Sequence, residues 1–311
     1  MQTVLVYAPD HWSSYIYAGV AARAAFVLKM LGNNETARLW EESAVKAMVW
    51  AEAEYKKWII SPDYIKVKDH TKSTVTVEQN LAAVELYRLT HDKRWHQVYL
   101  STQKTETNRT EAAFIYARLD KSLVNRKAQQ GAVNTLMDEA DRLVKLSAKN
   151  AYGITNGSPG RAISGYSSTY STPASATLVR AHYLSGDTLY LKTILRSGLY
   201  TAGANPMNLC LTTGLGENCV KNPLHEDTKH TGQSAPLGVT VFGPCELAFS
   251  DARPGSDLEQ RLNTACTPAI SGWPTAESFF DVFWFVQQNE YVINSPLGPA
   301  AYIWGYLASR K

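Results

Sequence analysis

Two stretches of this sequence carry groups that could do chemistry. One is Trp273-Pro274 with Glu277 and Asp281, followed by Gln287-Gln288-Asn289-Glu290-Tyr291. A carboxyl group beside aromatic rings is poorly solvated, which raises its pKa and suits it to act as a general acid. The same residues also fit a solvated glutamate at a helix end, and local sequence alone favours that reading. The other stretch runs over 203–244. It contains Asn205-Pro206, Thr213-Gly214-Leu215-Gly216, Asn222-Pro223-Leu224-His225 and Gly243-Pro244, with Lys229 close behind the histidine. It is dense in hydrogen-bonding groups, and its glycines permit tight turns. Polar loops on a helical scaffold are where binding sites concentrate, although an irregular surface loop has the same composition.

Composition narrows the partners. The net charge is +3, from 31 basic and 28 acidic residues. That is too small and too dispersed for nucleic acid or an anionic membrane. No apolar run reaches the roughly 20 residues that span a bilayer. The N-terminus lacks the basic start and apolar core of a signal peptide. The four cysteines, Cys210, Cys219, Cys245 and Cys266, lie in one loop-rich region without zinc-type spacing. They read equally as free thiols or as one or two disulfides.

The elements that must position these groups are helices. Ile16, Val20, Ala24, Val27, Leu28 and Leu31 follow helical spacing over 13–31. Leu39, Trp40, Ala44, Val45, Met48 and Val49 do so over 34–57, and Leu81, Val84 and Leu86 over 77–90. Further helices are expected over 126–150, 173–184 (with Pro173 in its first turn) and 299–309. A weak repeat joins them. Leu31-Gly32-Asn33-Asn34, Leu89-Thr90-His91-Asp92 and Leu184-Ser185-Gly186-Asp187 each end one helix and precede another bearing an aromatic residue. This is the pattern of αα-hairpins. Residues 203–274 lack sustained periodicity and are expected to crown the helical domain.

With these residues in hand, a resemblance emerges. Asn205-Pro206 with Thr213-Gly214-Leu215-Gly216, the His225 loop, Gly243-Pro244, Asn289-Glu290 with Ile293-Asn294, and the Thr90-His91-Asp92 turn resemble, in order, motifs of family 9 glycoside hydrolases. The resemblance implies an all-α, (α/α)6-barrel-like toroid spanning 1–311 as one partial catalytic domain. It implies hydrolysis of a β-linked polysaccharide such as β-glucan with inversion, and a parent protein that is secreted or periplasmic. Glu290 would be the catalytic acid. His225 would bind sugar next to the cleaved bond, Lys229 would stand in for the family's arginine, and Tyr291 and Trp273 would offer aromatic faces. No cofactor is implied. Structural calcium occurs in the family, but no Asp-x-Asp-x-Asp-Gly loop is present.

The sequence also departs from the family. Its water-activating base lies in an Asp-Ala-Gly-Asp motif, which this chain lacks. Asp138-Glu139-Ala140-Asp141 has that spacing but sits within a regular helical pattern. The chain therefore reads as beginning inside the family domain, with the first hairpins and the base missing. Slow turnover is then expected, with an apolar face on the 13–31 hairpin open to solvent or to self-association. Two other readings remain: a glycan-binding helical domain without turnover, using Trp273, Trp284 and Tyr291, and an interaction scaffold without sugar specificity.

Overall fold

The computed structural model describes residues 9–61, 72–103, 110–155, 176–293 and 297–310. Pro173 and Asn294 lie outside them. The elements are helices: α1 (His11–Met30), α2 (Asn34–Trp58), α3 (Lys72–Thr90), α4 (Lys93–Thr102), α5 (Thr110–Ala117) and α6 (Arg126–Ala148). Then follow α7 (Ala176–Ser185), α8 (Thr188–Thr201), α9 (Glu226–Thr231), α10 (Asp257–Asn263), α11 (Val286–Asn289) and α12 (Gly298–Ala308). Among the described residues the only β-type pairings are two isolated bridges, so the fold is all-α. No helix of the described residues is long and apolar enough to cross a membrane. The chain divides into two compact units, 1–136 and 137–311.

The three expected turns share one device. Gly32, His91 and Gly186 each take positive φ (78°, 57° and 71°), which reverses the chain after a helix. The next residue caps the following helix. Asn33 accepts from Thr36 N–H at 3.3 Å, Asp92 from Arg94 N–H at 2.9 Å, and Asp187 from Leu189 N–H at 2.8 Å. Each cap satisfies one of the helix's orphan donors. Asp92 also binds the Arg94 guanidinium, which holds its carboxyl below the usual range.

In the first unit α1 packs on α2 and α3. Helical spacing reads correctly here, but the buried face differs from the expected one. Tyr15, Ala18, Gly19, Ala21, Ala22 and Ala25 are buried, while Ile16, Val20, Val27 and Leu31 are exposed, Val20 to 62%. Likewise α2 buries Ala37, Ala44, Met48, Ala51 and Tyr55, and leaves Leu39, Trp40 and Val49 outside. The reason is close approach. A Cβ on Gly19 would stand 3.4 Å from the Ala82 Cα, so the small-residue face is the one that lets α3 in. The first unit thus leaves Ile16, Val20 and Val27 of α1 exposed.

In the second unit one core joins Leu143 of α6, Leu178 and Val179 of α7, Tyr190 and Ile194 of α8, and Ile303 of α12. Two further clusters lie within the loop-rich region. One gathers Tyr200, Leu211, Val220, Val241 and Phe279. The other gathers Cys245, Leu258, Leu262, Ile270 and Phe285. Loops can hold such cores because their backbone groups pair with one another.

Two stability predictions follow from the first unit. Gly19→Ala should be tolerated, because its Cβ makes ordinary contact, whereas Gly19→Val should cost about 1–3 kcal/mol by urea denaturation. His91→Gly should add roughly 0.5–1 kcal/mol, since left-handed backbone penalises a side chain. A loss of stability in that variant would mean that the edge contact of His91 with Tyr87 outweighs the backbone term.

Candidate active site

Glu290 leaves the single turn of α11 in extended backbone (φ −69°, ψ 156°). Its mounting is made of peptide groups. The carbonyls of Gln288, Asn289 and Glu290 accept the N–H groups of Gly243 (2.9 Å), Leu224 (2.8 Å) and Phe242 (2.9 Å). Two loop segments remote in sequence, one at 224 and one at 242–243, therefore meet at three successive residues. Side chains anchor the same turn from another direction. The fully buried Gln288 accepts from Phe280 N–H at 2.8 Å and donates to the Ser278 carbonyl. Asn289 donates to the Phe280 carbonyl at 2.7 Å. Each bond contributes about 1 kcal/mol net, and losing a partner in this buried setting costs more.

The loops themselves are fixed by short-range devices. Asn205 accepts from Met207 and Leu209 N–H and donates to the Tyr200 and Leu209 carbonyls, closing the turn after α8. Thr213 and Val239 exchange bonds, and Val241 N–H reaches the Leu211 carbonyl at 3.1 Å. That ladder delivers Phe242 and Gly243 to the Glu290 segment, with Gly243 at φ 81°. The Asp281 carboxylate accepts the N–H groups of Lys221 (2.8 Å) and Asn222 (2.9 Å), which sets the entry to the His225 loop.

On this frame the Glu290 side chain is half-buried, and its Oε2 is shielded from solvent without a hydrogen-bond partner. Burial pushes its pKa up. The His225 ring stacks on Tyr291, with centroids 6.5 Å apart and planes 18° from parallel. His225 also caps α9, its Nδ1 accepting from Thr228 N–H at 3.2 Å. The Nδ1 lone pair is thereby engaged, so the neutral ring carries its proton on Nε2, where it can donate. Burial, and then the negative charge of Asp227, raise the Tyr291 phenol. One turn along α9, the exposed Lys229 ammonium lies 4.6 Å from the Phe283 ring centroid. Trp273 sits differently. It stacks on Phe280 at 5.4 Å, donates Nε1–H to the Pro268 carbonyl at 3.0 Å, and packs against the Phe285 cluster. The structure thus joins His225 to Tyr291 by ring contact and Glu290 to Tyr291 by sequence. Trp273 belongs to the adjoining apolar packing.

Among the other carboxylates, Glu226 pairs with His230 at 3.2 Å in an exposed contact. Asp141 accepts from Tyr190 Oη at 2.8 Å, and Glu139 pairs with Arg142. Both are helix-surface roles, as sequence suggested for that run. No group of three or more His, Cys, Asp or Glu among the described residues is placed to hold a metal ion. Sequence reasoning missed the roles of Gln288, Asp281 and Phe283. Their partners lie tens of residues away or are peptide groups, which leave no pattern in a single sequence.

The sequence profile of Glycosyl hydrolase family 9 matches residues 3–298. No curated protein matches the chain. Several solved structures match over nearly its whole length. A metagenome-derived glycoside hydrolase family 9 endoglucanase is 21% identical, with a TM-score of 0.74, covering 98% of this chain and 53% of its own. A single mutant of a thermostable endoglucanase from Alicyclobacillus acidocaldarius is 18% identical, with a TM-score of 0.76 and coverages of 97% and 56%. AaCel9A in complex with cellobiose-like isofagomine is 19% identical, with a TM-score of 0.78 and coverages of 98% and 57%. The chain therefore spans little more than half the length of these structures. The likeness fixes the fold as that of these (α/α)6 barrels, and the extent of the profile match makes the chain a member of glycosyl hydrolase family 9.

Proposed function

We propose that Glu290 is the general acid of a glycoside hydrolase acting on β-linked glucan of the cellulose type. The observation that carries this reading is its half-buried carboxyl, with one oxygen shielded and unpartnered and its pKa raised. A protonated carboxyl in that position can give its proton to the leaving glycosidic oxygen. His225 would donate from Nε2 to a sugar hydroxyl, and Tyr291 would lend an aromatic face. Lys229 would bind sugar oxygens, and the half-exposed Trp273 would flank the same face. A similar fold holds cellobiose-like isofagomine in AaCel9A, which supports a β-glucan substrate. Inversion would require a second carboxylate roughly 6.5–9.5 Å from the first, with water between them. A polymeric glucan cannot cross a membrane, which supports a secreted or periplasmic site of action.

A second reading, glycan binding without turnover, is favoured by one observation. The chain contains no Asp-Ala-Gly-Asp motif. Assays on barley glucan, carboxymethyl cellulose and chito-oligosaccharides separate the two readings when run beside affinity measurements. Binding with hydrolysis at the buffer rate would select the second. We also propose that the outer stripe of α1, with Val20 and Val27, mediates association between copies. Val20→Glu with Val27→Glu should then shift the chain toward monomer in sedimentation, and an unchanged distribution would refute this.

Where turnover is measured, Glu290→Gln should lower kcat by about 10²–10⁴-fold without unfolding the chain. The pH dependence has a definite sign. The protonated acid is the active form, so kcat/KM falls as pH rises through the Glu290 pKa. Burial raises that pKa, so the fall should come above the ordinary carboxylate range. In Glu290→Gln that alkaline limb should vanish, and its persistence would assign the limb to another group. Asp281→Ala should free the Lys221 and Asn222 amides and weaken glycan binding through the His225 loop. Asp281→Asn, which retains an acceptor, should recover part of the loss.

A further inference from the structure

Cys210 and Cys219 are bridge partners. Cys210 N–H donates to the Asn218 carbonyl at 2.8 Å, and Val220 N–H donates to the Cys210 carbonyl at 3.0 Å. These two bonds define a parallel bridge in which Cys210 lies directly opposite Cys219. Opposed residues of a bridge project their side chains to the same face, with backbones about 4.7–4.9 Å apart. That spacing falls inside the roughly 4.4–6.8 Å of Cα separation that a disulfide accepts. Both cysteines are thiols in this structure. We propose that Cys210 and Cys219 are a disulfide-forming pair, closed by a low-molecular-weight disulfide or a disulfide-exchange protein. The bond clasps the loop bearing Thr213, Gly214, Leu215 and Gly216.

The chemistry has a preferred order. Cys219 is the more accessible of the two, and Gly214 N–H donates to its sulfur at 3.3 Å. Cys210 is buried, and burial pushes its thiol up. The Cys219 thiolate therefore attacks the oxidant R–S–S–R, forming a mixed disulfide and releasing R–S⁻. Cys210 then loses its proton and attacks the Cys219 sulfur, expelling the second R–S⁻. Two electrons pass to the oxidant, which ends as two thiols. Only the first step needs solvent access.

The position of the clasp gives it a consequence. Leu211, next to Cys210, accepts from Val241 N–H, and Phe242 N–H binds the Glu290 carbonyl. Val220, next to Cys219, leads into Lys221 and Asn222, which Asp281 holds. Closing the bond would brace both loops against the Glu290 segment. Cys245 and Cys266 share an apolar cluster, but among the described residues no backbone bridge sets them opposite each other, and Cys245 accepts from the Gln288 amide at 3.6 Å.

The test does not depend on the proposed activity. The folded chain is incubated with oxidised glutathione, its free thiols are alkylated, and it is digested with trypsin. Both cysteines fall in the peptide between Arg196 and Lys221, and Cys245 and Cys266 in two others. The expected result is that this peptide is unalkylated and two hydrogens lighter, with Cys245 and Cys266 alkylated. Reductant should lower the Tm of the oxidised chain by roughly 5–10 °C, as closing a short loop predicts. The variant carrying Cys210→Ser and Cys219→Ser should show the same Tm with and without reductant. Alkylation of both cysteines in the oxidised folded chain would overturn the proposal. So would a link from either one to Cys245 or Cys266.

Discussion

The carbonyl oxygens of Gln288, Asn289 and Glu290 take N–H groups from two loop segments, Leu224 on one and Phe242 with Gly243 on the other, and the loop-rich end of the second unit depends on those bonds. Irregular backbone can be buried only if its polar groups find partners. Here regular strands are replaced by a convergence of short segments on one turn. The carbonyls of that turn reach other loops while its N–H groups bond back to Phe285 and Val286, and the Gln288 amide and the Asn289 NH2 group serve as anchors. Glu290 differs: its backbone is held while its carboxyl is left over. A side chain fixed by its main chain, with its own hydrogen-bonding capacity unspent, is preorganised for a partner that arrives from outside.

The same constraint explains the aromatic residues around the turn. Phe280 and Phe285 exclude water from the peptide bonds of 285–290, and Trp273 stacks on Phe280. Without that cover, water would compete for the carbonyls and each bond would weaken. The rings are thus part of the mounting. Tyr291 lies past the turn, where its ring is free to stack on His225. The two kinds of aromatic residue are indistinguishable by composition, and they differ by what lies beneath them.

Local devices were legible in the sequence. Gly32, Gly186 and the acidic or amide caps after them act within four residues, so their spacing suffices. Periodicity placed α1 and α2 to within a residue or two of their limits, while α3 begins at Lys72, five residues before the expected start. Burial was less legible. In α1 apolar residues lie all round, so the pattern could not say which face packs. The answer came from Gly19 and the alanines, whose small size lets α3 approach. Large apolar residues mark what can be buried, while small ones mark where another backbone comes close. The partners in the site were least legible. Asp281 with Lys221 and Asn222, and Asn289 with Leu224, join positions roughly sixty residues apart, and at least one partner in each bond is a peptide group that any residue supplies.

Carboxyl burial at Glu290 involves a balance that the fold must strike. Full desolvation would raise its pKa so far that it could no longer release a proton, and full exposure would leave it ionised at neutral pH. Glu290 is intermediate. One oxygen is shielded, and burial raises its pKa. The Lys229 ammonium of the His225 loop lies over the Phe283 ring. An ammonium within a few ångströms of the carboxyl would favour the ionised form and undo the effect of burial. The Lys229 charge is instead engaged on an aromatic face, which leaves burial to act on the Glu290 carboxyl.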